Sequence, residues 1–583
     1  MTSTTSKGAN AATELQQFLA RDWEAWLDLT PELSTFVGAP GRNDRWNDDS
    51  DAGVAARRAL LEKGRAALER FRRGELGEAD RLNYDLYREL LATTEAGLGF
   101  GVDPFPFRLG WPHNLWMPLN QMDGIQTSAA DISDVQPLVT TRDFEDLIAR
   151  LRTFPRAVDN NLARMEDGLR RGFSAPKVSI AGVPDEITAQ LTDDPLASSV
   201  LRGFREYPTT VPVADREALT QRAVAAYRDD VTPALRKLRD YLNHTYLPGA
   251  RESVGASALP NGPEFYAYLA RWVTTTDLTP QQIHEIGLAE VRRIRGEMET
   301  VMRSTGFGGS LTEFNEHLRG DPTYFYDSPE ALLDGFRVIA KRIDPMLSKL
   351  FGRLPRLTYG VLPVPEYRAP SSPAAYYQPG SPEAGRPGYF YANTYKVDAR
   401  PKWSMEALTL HEAVPGHHLQ LALGQEPEEL PEFRRRTGYT AYVEGWGLYA
   451  ESLGEELGLY RDPYSKFGQL TFDMWRSIRL VVDTGMHALG WSRDRAIQFF
   501  RENVGQSDQD IRVEVDRYIV WPGQALAYKI GQLKIRELRT RAEQRLGSRF
   551  DLRAFHDLVL GEGALPLNLL ADRVDRWVES RAA

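Results

Sequence analysis

Leu410-His411-Glu412-Ala413-Val414-Pro415-Gly416-His417-His418-Leu419-Gln420 is the stretch that decides how this chain is read. It sets a carboxylate beside one imidazole and places two more imidazoles about two helical turns further on. Histidine is scarce, nine in 583 residues, yet three fall within residues 411–418. A helix-breaking turn with surface histidines would not gather them beside a glutamate. Two imidazoles and one carboxylate are a ligand set for zinc that keeps a fourth position open. His411, His417 and Glu444, the last in Val443-Glu444-Gly445-Trp446, are the candidate ligands. Glu412 adjoins a ligand and is free to face a water, so it is the candidate general base. The expectation is a hydrolase of peptide or amide bonds that uses one zinc ion.

The spacing needs a physical account. In the common H-E-x-x-H signature the two histidines share one helix face, a turn apart. Here the next histidines stand six and seven residues on. A step of six turns the side chain about 120° away, and a step of seven lifts it about 10.5 Å. Pro415 removes an N–H and clashes with the preceding turn, and Gly416 adds backbone latitude. The sequence therefore predicts a bulge at Val414-Pro415-Gly416 that absorbs two extra residues, with His417 preferred over His418 as ligand. Glu444 follows His417 by 27 residues, room for a helix end, a turn and a returning helix. Glu451, seven residues later, lies close to the same face. It is expected to hold a ligating imidazole in one tautomer, the alternative being a solvated carboxylate.

Composition bounds the rest. At 583 residues the chain can bury a large core. A net charge of −10 argues against nucleic acid as the main partner. With no cysteine, any metal must be held by nitrogen and oxygen. No run of 18 apolar residues occurs, so no membrane span is expected. The N-terminal segment shows no apolar core of a signal peptide, and the cytoplasm is the expected compartment.

Outside the motif the pattern is helical. Leu15, Phe18, Leu19, Trp23, Trp26 and Leu27 recur at spacings of three and four. Residues 53–98 read as two helices with a turn near Gly74 and Gly77. Further helices are expected over 141–173, 214–246, 262–272 and 279–305, and from Ser404 onward. Residues 99–127 mix proline with aromatic side chains, either a loop plugging the core or a wall of the substrate cleft. Short strands are expected over 356–361 and 389–395, flanking a Pro/Gly-rich stretch from Gly360 to Gly388. The class is mainly α, with a small β-sheet beside the metal-binding helix. The expected divisions are a frayed 1–10, a helical part over 11–359 and a catalytic part over 360–583, the last two forming one continuous unit.

Residues 410–420, Glu444-Gly-Trp-Gly-Leu-Tyr-Ala-Glu451, Arg479-Leu-Val-Val-Asp-Thr-Gly-Met-His487 and the run Tyr518 to Gly531 together resemble the bacterial domain-of-unknown-function family 885. That family is placed among the gluzincin peptidases, relatives of thimet oligopeptidase and angiotensin-converting enzyme. The resemblance implies a large two-lobed helical body, a deep central cleft with zinc at its floor, and short peptide-like substrates. In the angiotensin-converting enzyme relatives, a late His and Tyr about ten residues apart stabilise the reacting carbonyl. Tyr518 and Tyr528 stand ten apart at the matching place. Tyr528 is thus the candidate oxyanion donor, while Tyr518 replaces a histidine and is a candidate substrate contact.

Five other residues complete the list. Asp483 and His487 share a helix face, and the pair either serves the reacting centre or is a satisfied structural pair. Asn393 lies on the second strand, where an exposed edge could take an extended peptide. Arg517 and Lys529 are candidate partners for a substrate carboxylate. The rival classes are an amide hydrolase acting on a small metabolite or modified peptide, and a non-catalytic binding protein. Sequence leaves the oligomeric state open.

Overall fold

The computed structural model describes residues 2–582 other than 109, 367–368, 383–384, 428 and 506, with side chains from residue 12 onward except that of 371. The chain is mainly helical and carries one three-stranded sheet. It divides into two compact units, Met1–Phe265 with Pro431–Arg436, and Tyr266–Leu430 with Thr437–Ala583.

The first unit is built on long amphipathic helices: α1 (Thr2–Leu29), α2 (Asp51–Leu68), α3 (Glu78–Gly97) and α4 (Thr141–Arg170). The α1 helix is drawn from Thr2, and the side chains of the first ten residues, expected to fray, lie outside the described residues. A reciprocal Thr140–Asp143 capping box starts α4. Phe144, Leu147, Leu151, Phe154 and Val158 on one stripe of α4 are completely buried. The proline-aromatic stretch 99–127 plugs an interior. Phe107 lies 4.9 Å from Trp23, and Phe105 lies 5.4 Å from Phe107. The short helix Glu432–Arg436 joins this unit. Phe433 packs on Tyr87 at 5.0 Å, and Arg434 donates to Asn83 Oδ1 at 2.9 Å.

The second unit holds α5 (Pro280–Ser304), α6 (Pro329–Ile343), β1 (Tyr359–Pro363), β2 (Ala375–Gln378), β3 (Gly388–Ala392), α7 (Met405–Glu412), α8 (His417–Gln425), α9 (Thr440–Ser452), α10 (Pro463–His487), α11 (Asp508–Val520) and α12 (Ala527–Leu546). The Pro/Gly-rich stretch lies inside this unit, and β2 forms within it, a strand that turn-rich composition hid. Strand order is β1-β3-β2, with β1 parallel and β2 antiparallel to β3. Because β3 is the central strand, both its edges are paired, and the expectation of an exposed peptide-binding edge there is corrected. Phe390 and Ala392 on β3 pack with Leu332 and Phe336 of α6 and Met405 and Leu408 of α7. The sheet thus fixes the outer side of the helix that leads into His411-Glu412.

At the centre runs α10, begun by an Asp462 cap onto Ser465 N–H and buried along most of its length. It packs along α5, and α9 packs along α12. The latter two approach closely because both present glycine. A Cβ on Gly531 would come within 1.9 Å of the Ala441 carbonyl oxygen and 2.7 Å of the Gly445 α-carbon. Among the described residues no helix is long and apolar enough to cross a membrane.

Candidate metal centre

The motif does not form one bulged helix. The α7 helix stops at Glu412, residues 413–416 turn, and α8 starts afresh at His417. Pro415 cannot supply the N–H that would carry α7 onward, and Gly416 leaves the helical region at φ −77°, ψ −128°. The predicted bulge is therefore a full break. Trp446 of α9 fixes it by donating from Nε1 to the Pro415 carbonyl at 2.8 Å. Gly447, next to it, leaves room for an imidazole. A Cβ there would meet three His411 ring atoms at 2.8, 2.9 and 3.2 Å.

With α7, α8 and α9 so placed, His411, His417 and Glu444 converge, one ligand atom from each lying within 4.8 Å of the others. Glu444 Oε2 is 3.5 Å from His411 Nε2 and 3.6 Å from His417 Nε2. Charge-assisted hydrogen bonds would draw these atoms to about 2.7–2.9 Å. Bonds of about 2.0–2.1 Å to one tetrahedral zinc instead set ligand atoms roughly 3.4 Å apart. The donor set and spacing fit such an ion. His411 and His417 are buried, and Glu444 is half-buried.

The tautomer of His411 follows from its other nitrogen. Glu451, completely buried, accepts from His411 Nδ1 at 2.8 Å. A carboxylate only accepts, so the proton sits on Nδ1 and Nε2 is left as a donor of electrons. Arg476 lies 3.6 Å from the same Glu451 oxygen and balances its charge. His417 Nδ1 is buried without a hydrogen bond among the described residues. Its ring is instead set edge-on against His411 at 4.7 Å.

Burial pushes His411 down, but Glu444, Glu451 and Glu412 outweigh it and raise it to about 10. For Glu444 burial opposes ionisation, and the two adjacent imidazoles of His411 and His417 still hold it well below the usual carboxylate range. His418 is different. Burial pushes it down to about 4. It shares a 2.9 Å hydrogen bond with the Tyr377 hydroxyl and packs on the Tyr359 ring at 4.6 Å. His417 enters the cluster and His418 braces the sheet.

Glu412 ends α7, is 9% exposed, and makes no hydrogen bond among the described residues. Tyr528 opens α12 one turn before Gly531, on the stripe that faces α9. Its ring carries the Arg479 guanidinium at 4.5 Å, and its hydroxyl lies 3.4 Å from Arg517 Nη2. Tyr518 is buried, its hydroxyl accepting from Arg479 Nε at 2.8 Å and donating to Glu514. Arg517 also donates to Gln524 at 2.9 Å.

The remaining candidates are engaged elsewhere. Lys529 is completely buried, paired with Asp473 at 2.6 Å and Glu290 at 2.9 Å. Asn393 donates to the Ala369, Ser372 and Pro373 carbonyls and accepts from Tyr395 N–H, so its amide ties down the loop before β2. Asp483 accepts from the Tyr266 hydroxyl at 2.5 Å and Gly523 N–H at 2.9 Å. Burial raises it to about 7 against the pull of those bonds. His487, completely buried, meets the Tyr518 carbonyl at 3.0 Å. Sequence reasoning gave no role to Trp446, Gly447, Arg476, Arg479 or Glu514. The first two follow Glu444 by two and three residues, which was the available signal.

Fold and site define a mainly helical protein with a small mixed sheet and a largely buried two-histidine, one-glutamate cluster. The chain belongs to the family described as "Bacterial protein of unknown function (DUF885)", whose pattern matches residues 31–574. Among solved structures, it is similar to "the putative lipoprotein from Colwellia psychrerythraea", with TM-score 0.88 and 28% identity over 98% of this chain and 100% of that one. A lipoprotein of unknown function from Shewanella oneidensis, also named "putative", shares the fold with TM-score 0.73 and 18% identity, covering 96% and 99%. No curated protein matches the chain.

Proposed function

We propose that the protein is a zinc-dependent hydrolase of peptide bonds in short peptides, with kinship to the gluzincin peptidases. The observation that carries this reading is the meeting of His411 Nε2, His417 Nε2 and Glu444 Oε2 at 3.5–3.6 Å from the shared oxygen, with His411 Nδ1 committed to Glu451. These three residues would hold the ion, which when bound supplies a Lewis acid and lowers the pKa of a coordinated water to about 7. Glu412, buried and without a hydrogen bond among the described residues, takes a proton from the attacking water and delivers it to the leaving amine. The Tyr528 phenol donates to the scissile carbonyl oxygen as negative charge develops there. Glu451 keeps His411 in the tautomer that presents Nε2. The reading also expects a cleft that admits substrate to the centre.

The test is a library of short peptides and simple amides, offered to the purified chain with and without chelator. Hydrolysis that a chelator abolishes and added zinc restores is expected. Failure to bind about one zinc per chain, or absence of cleavage by the zinc-loaded protein, would sink the proposal.

A further inference from the structure

Two arginines beside Tyr528 share a single acid. Arg479 donates from Nη2 to Glu514 at 3.0 Å, and Arg517 Nη1 lies 3.5 Å from the other oxygen of Glu514. Among the described residues neither guanidinium meets another carboxylate, so the group carries an excess positive charge. It is mostly enclosed, with Arg479 at 7% exposure. Burial opposes the charge of Arg479, yet Tyr518, Glu514 and Tyr528 hold it firmly protonated. Arg479 Nη1 and Arg517 Nε make no hydrogen bond among the described residues, so donors remain to be used. Trp475 and Trp521, both partly exposed, flank the arginines at 5.8 and 5.9 Å.

We infer that Arg479 and Arg517 receive a substrate carboxylate, and that the bond cut lies one residue before it. The inference rests on the hydrolase reading and on Tyr528 meeting the scissile carbonyl. Arg517 Nη2 lies 3.4 Å from the Tyr528 hydroxyl. One extended residue spans about 3.3–3.6 Å, so a group held there stands a single residue past the carbonyl. A guanidinium fork matches a carboxylate in geometry and charge. The substrate class is an acyl group joined by an amide to an α-amino acid with a free carboxylate. Its source is a peptide C-terminus or an acylated amino acid. In the reaction the C–N bond breaks, hydroxide from water joins the acyl carbon, and the second proton goes to the released amine. The neighbouring tryptophans suit an aromatic side chain on the released residue.

Four probes test this with the zinc-loaded full chain: acetyl-Ala-Phe, its C-terminal amide, acetyl-Ala-Phe-Ala and acetyl-Phe. Acetyl-Ala-Phe should release phenylalanine with kcat/KM about 100-fold above that of the amide, the scale of losing one partner of a charged pair. Acetyl-Ala-Phe-Ala should release alanine, not Phe-Ala. Efficient cleavage of acetyl-Phe would assign the source to acylated amino acids, and its resistance to peptides. In Arg517→Gln and Arg479→Lys the acid-to-amide ratio should fall to a few-fold. Calorimetric binding of acetyl-Phe and its amide to chelator-treated protein gives a readout free of catalysis, and the acid should bind about 100-fold tighter. Equal cleavage and equal binding of acid and amide overturns the carboxylate site while leaving the hydrolase intact. Release of Phe-Ala overturns the one-residue register. Selective acid binding without any cleavage keeps the receptor and overturns the hydrolase.

Discussion

Glu412 and Glu451 are two carboxylates beside His411 in different surroundings. Glu412 makes no hydrogen bond among the described residues, whereas Glu451 is buried and bonded to His411. Glu412→Gln keeps the shape and removes the proposed base. The expected outcome is zinc retained at one per chain by metal analysis, with kcat lowered at least about 100-fold. Glu451→Gln removes the charge behind His411, and zinc affinity measured by chelator competition should fall about 10- to 100-fold. Asp483 gives a prediction about pH. Its carboxyl is raised from 3.8 to about 7 by burial, so between those values the folded state binds more protons than the unfolded one. Stability therefore falls as pH rises through that window and levels off above it, by about 4 kcal/mol at most. Urea titrations at pH 5 and pH 8 should show this loss, and Asp483→Asn should flatten it. At this scale the candidate ligands were legible because two of them are clustered with a carboxylate and the third sits in a glycine-rich run. Lys529 and Asn393 were not. Their partners, Glu290 and Asp473 for the one and the Ala369 loop for the other, are remote in sequence and no local pattern announces them.

Among the elements, the decisive event is the break between α7 and α8. A bulge and a break have the same sequence signal, a Pro-Gly pair. What selects the break is the Trp446 indole reaching the Pro415 carbonyl from another helix. The long amphipathic helices, by contrast, were readable from their spacing, since a stripe that buries a face needs only local residues to be seen. The sheet was half readable. Its β1 and β3 strands carry aromatic residues, but β2 hides among prolines, and only pairing on β3 makes it a strand. The glycine contact between α9 and α12 carries its own prediction. Gly531→Ala drives a methyl into the Ala441 carbonyl. It should cost at least about 1–3 kcal/mol in denaturant unfolding and, because Glu444 rides on α9, weaken zinc binding too.

For the whole molecule, mainly helical architecture followed from composition and periodicity. The division of the chain into units did not, because it depends on a six-residue detour. Residues 431–436 leave the second unit for the first and return, between the second and third candidate ligands. Phe433 is 2% exposed in its host. Phe433→Ala should destabilise that unit by about 3–5 kcal/mol, read by calorimetry of the full chain.

The detour means that neither unit is a continuous length of chain. The polypeptide is stitched through both at 265/266, 430/431 and 436/437. A gene fragment encoding residues 266–583 would carry the three candidate ligands but also an orphaned Phe433 and Arg434, cut from their sockets on Tyr87 and Asn83. Dissecting this protein by truncation would expose a greasy thread in mid-sequence. Domain grafting at any of these boundaries would face the same seam.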